Sequence, residues 1–252
     1  MRNDVTITKD GSIARVVFDR GERLNAFDQS LVDQLTEIGH SFHTDHETRA
    51  IVVTGAAHSF SSGADLKAAN PEVPLSPVEE RYRRQSGGRL CKAWEDLPQV
   101  TIAAISGLAV GAGCAFALAF DWRVMERNAY FLVPEVRLGW NLQWGAIPRL
   151  VSLVGPARAK RAALLCERMS AVDALDWGLV DRLAEPGEAV ETAMQWARTI
   201  AEFDPVPVRM IKEAVNAAAG ESFHATSFAD ADQSTLSGIW AQQRHENQAG
   251  QS

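Results

Sequence analysis

Residues 102–120 are almost wholly apolar, yet Gly107, Gly111 and Gly113 cut the run into pieces. A single buried strand is usually about five or six residues long, and a helix crossing a bilayer needs about 20 unbroken apolar residues. The pattern that fits is strand, glycine turn, helix: a buried strand over residues 100–105, the turn GLAVGAG, then an alanine-rich helix to Phe120. An earlier stretch repeats this order, with an apolar strand over residues 51–54 leading into FSSGADLK at residues 60–67. A turn that opens a helix leaves main-chain N–H groups without intrahelical partners, and the helix dipole favours negative charge there. Two such turns facing each other would hold one oxyanion between two amides. Beyond the second turn, Glu135 stands between Val133, Pro134 and Val136. Such an apolar setting raises a carboxyl pKa towards the range of a general base. An oxyanion site beside one desolvated carboxylate points to proton transfer at a carbon acid.

Other readings of the glycine turns fail on residue order. GLAVGAG lacks the G-x-G-x-x-G of a dinucleotide site, and SSGADLK lacks the layout of a nucleotide P-loop. No serine lies in a G-x-S-x-G elbow. At 252 residues and 46% hydrophobic, the chain buries a full core. Its net charge of −7 argues against nucleic acid and anionic membrane as partners. Arg81, Arg83 and Arg84 form a local basic cluster, read either as a solvated helix face or as contacts for a phosphorylated ligand. Cys91, Cys114 and Cys166 have neither metal nor redox spacing, which suits a reducing compartment. His40, His43 and His46 lack a completing carboxylate or cysteine and fit a helix C-terminus, so no metal is expected. The first residues lead directly into VTIT, and a cytoplasmic protein is expected.

Along the chain, residues 5–8 and 13–18 read as a hairpin with Asp10-Gly11 at its turn. Leu31, Leu35, Ile38 and Phe42 mark a helix that Asp28 or Ser30 caps. Prolines between residues 71 and 77 interrupt the chain before a charged helix, a pattern suited to a mobile pocket wall. Short strands follow near residues 122–125 and 130–133, and from Gly145 onward the pattern is almost entirely helical.

Five segments, RLNAF (23–27), FSSGADLK, ISGLAVGAGCAFALAFD, PEVRLG and MSAVDALDWGLVD, occur here in the order and spacing of the enoyl-CoA hydratase/isomerase (crotonase) superfamily, which the chain resembles over essentially its whole length. The resemblance implies an α/β fold, a crotonase-like spiral of repeated ββα turns. It places the core with its active site in residues 1–186 and a helical trimerisation region in residues 187–252. A homotrimer or hexamer is implied, with an acyl-CoA thioester as substrate and no cofactor, since coenzyme A is part of that substrate. The implied oxyanion donors are the N–H groups of Ala64 and Ala112, with Glu135 as acid/base. Contacts to the coenzyme A portion are implied for Arg23, Asn25, Ala26, Ser62, Gly63, Asp65, Leu66 and Lys67; Asp65 also fits a helix cap.

Two departures shape the expected reaction. Hydratases of the superfamily carry a first glutamate where this chain has Ala115. A single carboxylate suffices to carry a proton between two carbons, so enoyl-CoA isomerisation is expected first. A hydratase or dehydratase with an atypical site, or a catalytically weak acyl-CoA-binding protein, are the alternatives. The second departure is WNLQWGA after Gly139, where Trp140, Asn141, Gln143 and Trp144 are expected to fill or line the acyl pocket, with core packing as the other reading of the two tryptophans. Asn141 or Gln143 would orient a water or a carbonyl.

Overall fold

In the computed structural model, which describes residues 3–21, 23–68, 75–220, 227 and 229–249, β1 (Val5–Asp10) and β2 (Ile13–Phe18) form the expected hairpin. Asp10 pairs with Ile13, so the two loop residues are Gly11 and Ser12 rather than Asp10-Gly11. From β2 the sheet continues in parallel through β3 (Ala50–Thr54), β4 (Val100–Ile105), β6 (Trp122–Glu126) and β9 (Arg182–Ala184). Alternate residues along these strands enter two different cores. Ile51, Val53, Ala103, Ile105 and Met125 join the larger one, and Ala50, Val52, Val100, Ile102, Ala104 and Val124 join the other. Burial on both faces is why these strands read as unbroken apolar runs rather than as alternation.

A second, smaller sheet is formed by β5 (Leu108–Val110), β7 (Tyr130–Leu132) and β8 (Met169–Ser170), and a bridge from Ser61 to Ala109 extends it. Successive passages therefore step from the large sheet to the small one and back, the spiral of ββα turns. One passage is β4, β5 and the helix α4 (Ala112–Ala117); the next is β6, β7 and a 3-10 turn at Glu135–Leu138. β8 and β9 fall in the region expected to be helical, because strands of two and three residues are too short to show a period.

The larger core is covered by α1 (Gln29–His43) and α3 (Ser86–Glu95), with Asp28 capping α1 through Leu31 N at 2.9 Å. Between them, α2 (Pro77–Arg84) starts at a capping box formed by Ser76 and Glu79. Part of the proline-rich stretch, residues 71–74, lies outside the described residues, and so does that part of the expected pocket wall. The arginine cluster of α2 is paired within the chain: Arg83 and Arg84 with Glu80, and Arg81 with Asp232.

After α5 (Ala146–Leu165, broken at Gly155-Pro156) and α6 (Ala171–Trp177) comes α7 (Ala189–Glu202). It begins just past the expected boundary at 187, yet it forms part of the core. Ala189, Ala193, Met194 and Ala197 cover the second face of the sheet, and Trp196 meets Trp122 edge-on at 5.3 Å. α8 (Pro205–Gly220) is also tied to the core, where Lys212 donates to Gln99 O at 2.6 Å and pairs with Asp121 at 2.7 Å. The last described helix, α9 (Asp230–Ala249), packs on α2. No helix among the described residues is long and apolar enough to cross a membrane.

The larger core is organised on Phe116 of α4, whose ring lies 4.8 Å from Phe120, 5.6 Å from Phe27, 5.9 Å from Trp94 and 6.0 Å from Phe18. Phe116→Ala removes the shared partner of these four aromatic rings and of Phe60, stacked at 6.5 Å, and is expected to cost about 3–5 kcal/mol. The urea midpoint should fall with an unchanged m-value.

Candidate active site

Both glycine turns lie where a passage through the small sheet ends. The stretch after β3 is pinned on its two sides. Ser61 N donates to Leu108 O at 3.0 Å and Val110 N to Ser61 O at 2.9 Å, while Phe27 N donates to Gly63 O at 2.7 Å and Asp65 N to Phe27 O at 2.8 Å. In this parallel bridge the neighbours of Ala64 make the bonds to Phe27, so the Ala64 N–H points the other way, towards β5 and α4. Ala112 is the first residue of α4 and cannot donate within its own helix. No hydrogen bond takes up either N–H among the described residues. The two turns touch: a Cβ on Gly63 would lie 2.8 Å from Val110 O and 3.6 Å from Ala112 N. Gly63 (φ 98°) and Gly111 (φ 51°) also hold backbone angles that side chains disfavour.

Glu135 opens the 3-10 turn after β7, and its carboxylate rests against the second glycine turn. A Cβ on Gly111 would stand 2.8 Å from Glu135 Oε1. The other oxygen, Oε2, is buried without a hydrogen-bond partner among the described residues. Burial pushes the Glu135 pKa up to about 7, and only its own main-chain N–H is found to pull the other way. The structure therefore brings together Ala64, Ala112 and Glu135, two available N–H donors and one carboxylate titrating near neutrality. Ala115, where a second carboxylate would stand, is 1% exposed and packed in the larger core.

The residues expected to meet coenzyme A divide into two sets. Asn25, Ala26 and Asp65 are internal; Arg23, Ser62, Leu66 and Lys67 are open to solvent in part or in full. Arg23, Leu24 and Asn25 form a left-handed run with φ of 50°, 49° and 61°. Such residues cost about 1–2 kcal/mol each, so the run persists only where surrounding bonds hold it. Asn25 Nδ2 donates to Phe18 O at 2.8 Å and Phe60 O at 2.9 Å, and Ser59 Oγ and Ser62 N both donate to Leu24 O at 2.9 Å. Asp65 accepts from Arg20 at 3.0 Å, from Arg23 at 2.6 Å and from Lys67 N at 3.1 Å. Burial alone would raise its pKa, but Arg20, Arg23 and the N–H groups of Ala68 and Lys67 outweigh it and hold the carboxyl at about 2. Asp65 thus caps a turn at residues 66–68 rather than the expected helix, since no helix follows FSSGADLK among the described residues, and it is also the counter-ion of two arginines. Arg20 was not anticipated; an arginine 45 positions away leaves no local signature.

The 140s segment faces α9. Asn141 Nδ2 lies 3.4 Å from Asp230 O and from Gln233 Oε1, Gln143 Nε2 donates to Ser234 Oγ at 2.6 Å, and Gly145 N donates to Asp230 Oδ2 at 2.9 Å. Both side-chain amides expected to orient a water or carbonyl thus have partners on the terminal helix. Trp140 is partly buried, with its N–H on Glu135 O at 2.9 Å. Trp144, at φ 63°, meets Phe27 edge-on at 5.4 Å, so it packs against the core beside the first turn. A large left-handed residue costs on the order of 1–3 kcal/mol and persists where its surroundings over-determine it.

Comparison with known proteins gives one consistent result. The family model described as Enoyl-CoA hydratase/isomerase matches residues 8–249. A short-chain-enoyl-CoA hydratase of Clostridium acetobutylicum is 34% identical over 215 residues, 85% of this chain and 81% of the relative. A carnitinyl-CoA dehydratase of Salmonella typhi is 33% identical over 220 residues, 84% of this chain and 80% of the relative. Among solved structures, Pseudomonas aeruginosa DspI superposes with a TM-score of 0.80 at 33% identity, covering 86% of this chain and 82% of its own. An enoyl-CoA hydratase from Mycobacterium avium subsp. paratuberculosis K-10 gives 0.83 at 25% identity, covering 93% and 89%.

The raised Glu135 pKa has a sign that stability measurements can check. Between 4.5, its ordinary value, and about 7, the folded protein holds a proton that the unfolded chain releases. Burial of Glu135 therefore carries no ionisation cost at low pH, and the cost grows as pH rises through this window. Glu135→Gln is neutral throughout, so it should match the native protein near about pH 4 and exceed it by on the order of 2–3 kcal/mol near about pH 8. Urea unfolding at both pH values measures the gap; a constant gap would contradict the burial of an unpaired carboxylate.

Proposed function

The chain belongs to the enoyl-CoA hydratase/isomerase family, and from that premise we propose that it isomerises enoyl-CoA thioesters with Glu135 as its single acid/base. The observation that carries this reading is one desolvated, unpaired carboxylate against the Gly111-Ala112 turn, with Ala115 where a second would be. The thioester oxygen is received between the N–H groups of Ala64 and Ala112. Each donor fixed before the reaction is worth about 3–4 kcal/mol of transition-state stabilisation. Glu135 removes a proton from C2 of a 3-enoyl thioester, and the electron pair spreads into a dienolate whose oxygen lies on the two amides. The same carboxyl then returns the proton to C4, leaving a 2-enoyl thioester. One group taking and giving one proton needs a pKa near neutrality, which supports Glu135 in both roles. Arg23, Ser62, Leu66 and Lys67 sit at the open side and are assigned to the coenzyme A portion.

A second reading, hydration or dehydration, is favoured by the names of the relatives, which are hydratases and dehydratases. That chemistry needs a second group to manage the water. The Asn141 and Gln143 amide nitrogens, the substitutes closest in sequence, are turned to α9.

Apolar residues left exposed along the end of the chain support a trimer or hexamer. Ala193, Trp196 and Ile200 of α7 are used within the chain. Phe203, Val206, Met210, Ile211 and Val215 are not, nor are Leu236, Ile239 and Trp240 of α9, all at least 50% exposed. Sedimentation at micromolar concentration should give a trimer or a multiple of it; a monomer would contradict the assignment.

Loss of the base should lower isomerisation by about 10²–10⁴-fold in Glu135→Gln while acyl-CoA still binds. In the native enzyme kcat/KM should rise with pH through about 7, since the ionised carboxylate is the active form. Ala115→Glu should raise hydration of a 2-enoyl-CoA above the native level. Product analysis by mass after incubation with 2- and 3-enoyl-CoA decides: full turnover in Glu135→Gln removes Glu135 as the base.

A further inference from the structure

We propose that Trp144 sets the length of the acyl group this enzyme accepts, by closing the apolar end of its pocket against Gly87 of α3. This rests on the acyl-CoA reading above and specifies its substrate class as short-chain thioesters. With the thioester oxygen between Ala64 N and Ala112 N, the polar end of the ligand leaves past Arg23 and Lys67. The acyl chain must then run towards the apolar side, where Phe27 bridges to Ala64 and Phe116 lies one helical turn beyond Ala112, both rings closed off in the larger core. These two rings lie 5.6 Å apart, and Trp144, only half-buried, stands in front of them, edge-on to Phe27 at 5.4 Å and 77°.

Behind the indole is main chain. A Cβ on Gly87 would fall 1.8 Å from Trp144 Cε2 and 2.0 Å from Nε1, so the ring lies directly on the backbone of α3 in space that any other residue at 87 would claim. The backbone of Trp144 is clamped as well. Arg149 Nη1 donates to Trp144 O at 2.9 Å and Gly145 O at 3.0 Å. The same guanidinium pairs with both oxygens of Glu95, again on α3, at 2.8 Å each. The next residue, Gly145, is held by Asp230 of α9 at 2.9 Å. One helix thus supplies both the surface beneath the ring and, through Glu95 and Arg149, the anchor of its strained backbone. The backbone that carries the indole is fixed: shifting it means breaking a bidentate ion pair or releasing α9. A short acyl chain ends before such a stop, and a long one competes with the ring for its place.

Calorimetry with two saturated thioesters, butyryl-CoA and decanoyl-CoA, tests this without turnover. The native protein should bind butyryl-CoA more tightly by about tenfold or more, the scale on which hydrophobic pockets discriminate. Trp144→Ala should bring decanoyl-CoA affinity up by about tenfold or more while leaving butyryl-CoA within about threefold. Trp144→Phe, which keeps an aromatic ring on Gly87 and guards against a folding defect, should fall between the two. Equal binding of both thioesters by the native protein, or an unchanged ratio in both variants, overturns the proposal. Failure of any thioester to bind better than its free acid, in the native protein and both variants, overturns the acyl-CoA reading and this proposal with it.

Discussion

The close approach of two stretches of main chain, residues 61–64 and 110–113, sets the geometry of everything around it. Gly63 lies against Val110 O, and a Cβ on Gly113 would stand 2.7 Å from Ser61 O. No side chain fits between these strands, so the spiral brings its backbone to within hydrogen-bonding reach of itself. Two consequences follow from that contact. The Ala64 and Ala112 N–H groups lie on neighbouring turns, and both are fixed by ladder bonds before any ligand arrives. Donors organised in advance cost nothing to reorient when charge develops, which is what the proposed oxyanion role asks of them. The alanine side chains at 64 and 112 do not alter this, because only the main-chain N–H is used.

Much of this was legible in the sequence, for identifiable reasons. The glycine turns announce themselves because a main-chain contact excludes side chains, and exclusion leaves a local mark. Glu135 is visible because its desolvation comes in part from its own neighbours, Val133 and Pro134. The helix face of α1 and its Asp28 cap are local as well. What stayed hidden depends on distance along the chain. The Arg20–Asp65 pair, the Glu95–Arg149 clamp and the Gln143–Ser234 bond each join residues 45 or more positions apart, which no period or motif encodes. The place of α7 has no local mark either: the resemblance puts it in the trimerisation region, and its small residues, Ala189, Ala193 and Ala197, let the helix lie close on the sheet.

The polar chemistry of the molecule is distributed unevenly. Around the mouth, Asp65 is surrounded by two guanidiniums and two main-chain N–H groups, and its carboxyl is held ionised far below neutrality. At the centre, Glu135 has almost no support for its charge, and it titrates near neutrality. Two carboxylates in one site thus differ by several pKa units through environment alone. The first holds structure at all working pH values, and the second has the environment of a group suited to proton exchange.

The attachment of the 140s segment to α9 gives it a support independent of the one that places Ala64, Ala112 and Glu135. Ala64, Ala112 and Glu135 belong to the spiral, whose positions are set by ladders among passages of the sheet. The segment bearing Trp144 takes part of its position from Asp230 and Ser234, near the far end of the chain. Substitutions on α9 can therefore shift the segment bearing Trp144 while Ala64, Ala112 and Glu135 stay where they are. A fold arranged in this way can acquire new substrates by drift in a terminal helix, with its chemistry inherited intact.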